Sequence, residues 1–354
     1  MSDQLKKILE LSTKLGFLKI TGSNVETLGF GPLAQLLANN VYNEWFRSNI
    51  IQSDLNTFLY ESISDQTWQE DCQPAYKQML QTTNEQLPFG LGSIFKTDIS
   101  KTSEDKDNQF GGMSQFQTKG YRYLVFISEK DSQKYFYRLQ LKRRIWWRKF
   151  STDPERFQIS EHNKTGENGE HVQISAKFPF TTAVIETIHN HGNSCLTGYE
   201  LLFEAKVGRK KSLPHVIESV CLERPAVLTY LCDAFQTQSA RPYLRLHHAL
   251  APYKAALAVD PSEDRVEELG QLATYVCLDL RKEGVHTLFT PGSRSKKSID
   301  AQFGVHDSIG IPYTVVVTGE SLTNGIMGLR SRDTTLQEQV HVSKLTSHMQ
   351  RLLS

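Results

Sequence analysis

Three groups of residues in this 354-residue chain are of types that do chemistry. The first is Arg138–Lys149, with six bases (Arg138, Lys142, Arg143, Arg144, Arg148 and Lys149), no acid, and the pair Trp146-Trp147. Cations at helical spacing suit phosphate oxygens, a contact that positions a nucleic acid without reading its sequence. The same pattern fits a solvated basic face over a tryptophan-anchored core. Two smaller clusters, Arg209-Lys210-Lys211 and Arg294-Ser-Lys296-Lys297, fall in expected loops and extend the candidate phosphate contacts to Lys210, Lys211, Arg294, Lys296 and Lys297. The second group is Arg330, Arg332 and Asp333, which close a strand that starts just after Asn324-Gly325 and carries Met327 and Leu329. These charges either face a partner or form an internal ion-pair network. The third group is His189-Asn-His191 and His247-His248. A nuclease centre built on the first pair would need a ββα setting and further metal ligands downstream, and neither is present. Both pairs are therefore read as structural, the first at a loop or helix end.

Other chemistries are excluded by what is missing. There is no phosphate-cradling P-loop, no dinucleotide-binding glycine fingerprint and no HExxH zinc motif. The five cysteines are scattered without a CxxC pair, which argues against a disulfide framework or zinc ribbon and for a reducing compartment. No cofactor and no metal are expected. Forty basic residues against 39 acidic give a net charge of +1, so any affinity for nucleic acid must come from local patches. No apolar run approaches membrane-spanning length. The first twenty residues are weakly amphipathic but lack arginine and include Asp3 and Glu10, so they read as an ordinary first helix rather than a presequence.

The elements that must position these groups follow from periodicity. Residues 5–15 and 33–46 read as helices, the latter after the turn Gly29-Phe-Gly-Pro32. Residues 51–87 read as short helices, and 101–119 and 161–170 as loop connectors. Tyr121–Ile127 and Val216–Val220 have strand composition, while Tyr135–Phe150 and Ala226–Phe235 have helical spacing. Near Ala249 the pattern changes to strands alternating with helices. Ala255–Val259 is followed by an amphipathic helix from Val266 to Leu280 closed by Gly284, then by a second strand at Val285–Phe289, a weak helix near 296–303 and the continuous apolar strand Val315–Val317. The connection from Gly319 to Gly325 is too short for a crossover, so Ile326–Arg330 should pair antiparallel with its predecessor. Thr335-Leu-Gln-Glu338 spells a capping box, which predicts a last helix from that point. The fold expected is a mixture of α/β and α+β, with a boundary near 245–250.

These residues carry a resemblance. Ala251-Pro-Tyr-Lys254, Leu280-Arg-Lys-Glu-Gly284 and Gly310-Ile-Pro-Tyr313 resemble the anticodon-binding domain of class II aminoacyl-tRNA synthetases. The run Asn324–Thr335 with Val340–Leu345, together with Ile145–Phe150, Asp153-Pro154 and His248–Pro252, narrows it. These segments resemble the accessory-subunit family of mitochondrial DNA polymerase gamma, itself related to the glycyl type of synthetase. The resemblance implies a synthetase-like core with an antiparallel sheet over residues 1–247 and an anticodon-binding-like α/β domain over 248–354. It implies a non-catalytic processivity subunit of the mitochondrial matrix nucleoid, whose partners are the polymerase's catalytic subunit and primer-template DNA. Gly325, Met327, Leu329, Arg330 and Arg332 would meet the catalytic subunit. Phe95-Lys-Thr-Asp98 stands where a synthetase has Phe-Arg-x-Glu, and lysine cannot supply arginine's two-pronged phosphate contact. Pro214–Glu218 and Arg224 stand at the third synthetase motif, but residues 219–223 contain no glycine to admit a nucleotide. Two damaged nucleotide contacts imply a dead active site. The alternatives are an active glycyl-type synthetase and a synthetase-like RNA-binding regulatory module. Only 43 residues separate Trp45 from Phe89, which is short for the helical insertion that makes vertebrate members dimeric. The expectation is a monomer alone and a one-to-one complex with the catalytic chain.

Overall fold

The computed structural model describes residues 2–20, 28–63, 67–98, 117–165, 169–207, 210–236, 242–262, 265–289 and 297–354. Of the connectors expected at 101–119 and 161–170, residues 101–116 and 166–168 lie outside the described residues, while 117–119 begin the strand Gln117–Ile127 and 163–165 and 169–170 belong to strands, drawn in by pairing with their neighbours. An eight-stranded sheet runs in the spatial order β3 (Thr57–Glu61), β4 (Phe89–Asp98), β5 (Gln117–Ile127), β12 (His215–Leu222), β9 (Thr181–Gly192), β8 (Gly169–Phe178) and β6 (Phe157–Ile159), with β7 (Asn163–Thr165) also paired to β8. Every pairing is antiparallel except β3 with β4.

β5 explains why both faces of this sheet are covered. Its residues alternate Tyr121, Tyr123, Val125 and Ile127 on one side with Leu124 and Phe126 on the other, and all six are buried. The first side packs under α1 (Asp3–Lys14), α2 (Pro32–Phe46), α4 (Glu129–Lys149) and α6 (Glu223–Ala234), around Trp45, Phe136, Trp147 and Tyr230. The second side is covered in part by α3 (Trp68–Thr82) and the short α5 (Glu200–Phe203), around Cys72, Tyr76, Phe89 and Phe203. A capping box of Thr67 with Glu70 starts α3. Residues 51–87 are thus an edge strand and one 15-residue helix rather than several short ones. α1 folds as an ordinary amphipathic helix, burying Leu5, Ile8 and Leu9. Among the described residues, three short antiparallel pairs sit outside the sheet: β1 (Leu18–Ile20) with β2 (Leu28–Phe30), β10 (Ala205–Val207) with β11 (Lys210–Ser212), and β13 (Phe235–Gln236) with β14 (Tyr243–Leu244).

The C-terminal sheet runs in the order β16 (Thr287–Leu288), β15 (Ala255–Val259), β17 (Tyr313–Val317), β18 (Ile326–Ser331) and β19 (Gln337–His341). The first three strands are parallel and the last two antiparallel. α7 (Val266–Lys282), α8 (Ile299–Ser308) and α10 (Val342–Leu353) accompany it, and Leu269, Val276, Val315, Leu329, Leu345 and Met349 fill its core. Val315, Val316 and Val317 are all buried, as their run predicts. The antiparallel pairing of β17 with β18 is also as predicted, although its connection folds into a short helix, α9 (Gly319–Asn324), ended by Gly325 at φ +72°. The capping-box spelling at Thr335 misleads. Thr335 follows a turn and has φ +58°, residues 337–341 form β19, and α10 begins only at Val342. Pairing along β18 and burial of Val340 outweigh the local helix signal. β18 is therefore an interior strand, and the mixed fold is as expected.

The segment between the two sheets is held from three sides. Lys254 Nζ donates to the carbonyls of His248, Ala249 and Ala251 at 2.8, 2.7 and 2.9 Å. Asn40 Nδ2, on α2, donates to the carbonyls of Leu250 and Ala251 at 3.1 and 2.9 Å. Arg332 donates to the carbonyls of Leu244, Gly310 and Leu246 at 3.3, 2.8 and 2.9 Å.

Candidate functional site

The basic helix α4 is mostly engaged within the chain. The helical period that sends Trp147 into the core sends Arg143, four residues earlier, with it. Arg143 is fully buried, and its Nε donates to Glu186 on β9 at 2.7 Å. Trp147 Nε1 and Ser219 Oγ donate to the same carboxylate at 2.6 and 2.5 Å. Arg143 is therefore no phosphate contact, because a buried guanidinium is held by its partner. The others are partly committed. Arg138 pairs with Asp54, Lys142 donates to the carbonyl of Gln52 at 3.4 Å, Arg148 reaches the carbonyl of Phe157, and Lys149 lies 3.9 Å from Glu44. Burial lowers the Lys142 pKa. Arg144 is half-buried. Lys210 and Lys211 are exposed on β11, with Lys211 paired to Glu204 at 2.8 Å, and Lys297 is exposed. Arg294 and Lys296 lie outside the described residues. The sequence shows the shared face of Arg143 and Trp147, but the carboxylate that claims them comes from a distant strand.

The arginine-bearing strand of the C-terminal sheet is corrected in the same way. Met327 and Leu329 are core residues at 1% and 2% exposure. Arg330 is buried and makes a two-pronged bond to Asp307 on α8, at 2.9 Å through each nitrogen, with its guanidinium 4.6 Å from the Phe303 ring centre. Arg332 is buried against the three carbonyls described above. These four side chains cannot face a partner. Gly325 is half-buried, and a Cβ placed there would lie 2.8 Å from His341 Nε2. What does face solvent is the segment that follows, beginning with Asp333 and running through the residues expected to start a helix. Residues 333–339 are exposed, Leu336 is 73% exposed, and β19 is the outer strand of its sheet. Leu336 carried no signal in the sequence, because an isolated leucine between a turn and a supposed helix reads as core.

The large sheet carries the segments likened above to synthetase motifs, Phe95–Asp98 on β4 and His215–Glu218 on β12. The guanidinium of Arg122 on β5 lies 4.3 Å from the Phe95 ring centre, and its Nε donates to Glu218 on β12 at 2.7 Å. The second oxygen of Glu218 is 2.8 Å from His191 Nε2 on β9. Burial alone would raise the Glu218 carboxyl, but the His191 hydrogen bond and the Arg122 charge overcome it and hold it at about 2. His191 stacks on His189 at 5.1 Å and on Trp68 at 6.2 Å, and His189 lies 5.2 Å from His171. Burial, aided by the His191 charge, pushes His189 down to about 4. The His189-Asn-His191 motif is thus part of a strand, not a loop or a helix end. Lys96 is exposed. Val220, Cys221 and Leu222 continue β12 as ordinary strand, and Arg224 at the start of α6 lies 5.0 Å from the Phe30 ring centre. Arg122, Glu218 and His191 on this face are turned toward one another. Among the described residues no group of three or more His, Cys, Asp or Glu side chains could hold a metal ion, and no helix is long and apolar enough to cross a membrane.

Residues 256–352 match the family model of the anticodon binding domain. The Xenopus laevis protein named DNA polymerase subunit gamma-2, mitochondrial, is 31% identical over 296 residues, which is 79% of this chain and 62% of the relative. The chain resembles DNA polymerase subunit gamma-2. The Drosophila melanogaster protein of the same name is 27% identical over 232 residues, covering 61% of this chain and 62% of that protein. A glycine–tRNA ligase of Borrelia hermsii is 27% identical over 295 residues, covering 77% of this chain and 63% of the ligase. The likeness to gamma-2 and the relation to synthetases, both read from the motifs, hold. The chain spans about three fifths of the length of the gamma-2 relatives it matches.

Proposed function

We propose that this chain is a non-catalytic accessory subunit of mitochondrial DNA polymerase, acting in the matrix nucleoid to raise processivity. The observation that carries the reading is the closed polar face of the large sheet in a chain similar to gamma-2. Arg122, Glu218 and His191 satisfy one another, Lys96 replaces the arginine clamp, and no glycine opens β12 to a nucleotide. In this reading residues 1–247 and 248–354 are separate units, and the second docks the catalytic chain. The docking surface is the exposed turn 333–336 with the β19 edge, which offers backbone hydrogen bonds and one apolar anchor, Leu336. Duplex contact falls to exposed lysines such as Lys210 and Lys297. A second, weak attachment to the template raises its effective concentration without any chemistry, and because it rests on lysine–phosphate contacts it weakens as salt rises. The short 46–88 segment supports a one-to-one complex, and a stable dimer of the isolated chain in light scattering would count against it.

The test is primer extension on a long template by the cognate catalytic subunit, at rising salt, with and without the chain. Longer products are expected with it, and unchanged lengths would overturn the reading. A second reading, a glycyl-type synthetase, draws on the ligase relatives and on Glu218 and Arg224 at motif positions. It requires glycine-dependent ATP–pyrophosphate exchange, which is expected to be absent.

A further inference from the structure

The outer face of α4 combines two properties seldom found together on a solvated helix. Tyr137, Leu141 and Ile145, at four-residue spacing, are 49%, 51% and 65% exposed. Four-residue steps place them in one nearly continuous stripe, and aligned exposed apolar side chains mark a binding surface more than scattered ones do. The residues bordering the stripe are cationic. Lys134, Arg138, Arg144 and Arg148 lie beside it, and from Tyr137 to Lys149 the helix carries no acid. Three acids of the flanking elements have partners, and one of them, Asp54, already answers Arg138, while Glu161 beside His162 is exposed. Asp54 pairs with Arg138, Glu44 lies near Lys149, and Glu170 holds His162 and Gln133. His162 also packs edgewise against Phe136 and beside Tyr137, at 5.6 and 5.2 Å, so it forms a wall at one end of the stripe.

Charge decides the occupant. A second copy meeting this face would set cation against cation. Duplex DNA would accept the cations but leave three large apolar side chains against phosphate, gaining nothing from their burial. We infer that this face docks an acidic amphipathic helix of another protein, with its apolar residues on Tyr137, Leu141 and Ile145 and its carboxylates on the bordering bases. Helix-on-helix docking of this kind uses anchors at four-residue spacing on both partners.

The test uses the full chain and a synthetic helical peptide with leucines at four-residue spacing between rows of glutamate, followed by calorimetric titration. Saturable binding is expected, weakening with salt and falling at least tenfold in the Leu141→Asp/Ile145→Asp variant and in the Lys134→Glu/Arg144→Glu variant. The apolar positions are half or more exposed, so melting temperatures should hold, and Leu141→Gln/Ile145→Gln gives a milder pair with the same direction. Three results would each overturn the inference. The peptide fails to bind. A peptide with lysine in place of glutamate binds equally well. The Leu141→Asp/Ile145→Asp variant keeps its peptide affinity and loses duplex DNA affinity instead.

Discussion

The polar face of the large sheet and the outer edge of the C-terminal sheet invite comparison, because sequence reading gives both a binding role. On the large sheet, Arg122, Glu218 and His191 are each other's partners, and the neighbouring histidines stack in a row. At the C-terminal edge, the arginines singled out for binding are buried, while the Leu336 side chain is 73% exposed beside the outermost strand. The lesson is that the kind of residue says little about binding until its partners are known. A charge already answered from inside the chain stabilises the fold. A group left unanswered at an edge is what an incoming chain can use.

The sharpest break of this comparison is at the buried ion pair. Arg143→Ala leaves Glu186 charged in the core and should cost about 3–5 kcal/mol in urea unfolding, whereas Arg144→Ala, one residue along, should stay within about 0.5 kcal/mol. If the two cost the same, α4's inner and outer faces are wrongly assigned. Gly325→Ala forces a side chain into a left-handed backbone and against His341, and should lower stability by about 1–2 kcal/mol. Adding His341→Ala should recover the steric part only, which a thermal melt of the double variant reads. Leu336→Asp should leave the melt unchanged but weaken binding to the polymerase catalytic chain about tenfold, or about 1.4 kcal/mol. An unchanged affinity removes the edge from the docking surface.

Acid provides a gentler probe. Burial pushes both His189 and the buried His306 down to about 4. A histidine whose folded value lies below its ordinary 6.5 lends stability in full above about pH 6.5, and that stability is lost as pH falls toward 4. His306→Asn should flatten the decline in this window by up to about 1.4 kcal/mol per pH unit. His189→Asn should flatten it less, because His189 is the more accessible of the two. The smallest effect is expected for Lys96→Arg. Restoring that one residue should produce no ATP–pyrophosphate exchange, since Arg122 and Glu218 still close the face and β12 still lacks its glycines.

Much of the fold was legible where a single face decides an element. The Val315–Val317 run, the α7 periodicity and the antiparallel return at Gly325 all follow from local pattern. The misreadings share one cause, which is tertiary pairing. Thr335–Glu338 reads as a helix start until β18 is present to pair with it. Whether Arg330 faces a partner or an internal carboxylate stays open until Asp307 arrives from α8, and Arg143 reads as one of a basic face until Glu186 arrives from β9. These carboxylates lie 23 and 43 residues away in sequence, beyond any local pattern. The site was therefore less legible than the fold, since sequence names its charged residues but not their partners.

The ammonium of Lys254, seated on three carbonyls beside the amide of Asn40, bears on how the chain would respond to load. A joint between two bodies usually yields first, absorbing strain as bending. Here the connecting segment is stapled to α2 on one side and to the C-terminal sheet through Arg332 on the other. Pulling on the C-terminal sheet would pass torque into the large one instead of opening a hinge. A load taken up at the β19 edge would then reach the large sheet, so that a grip on one end becomes leverage at the other.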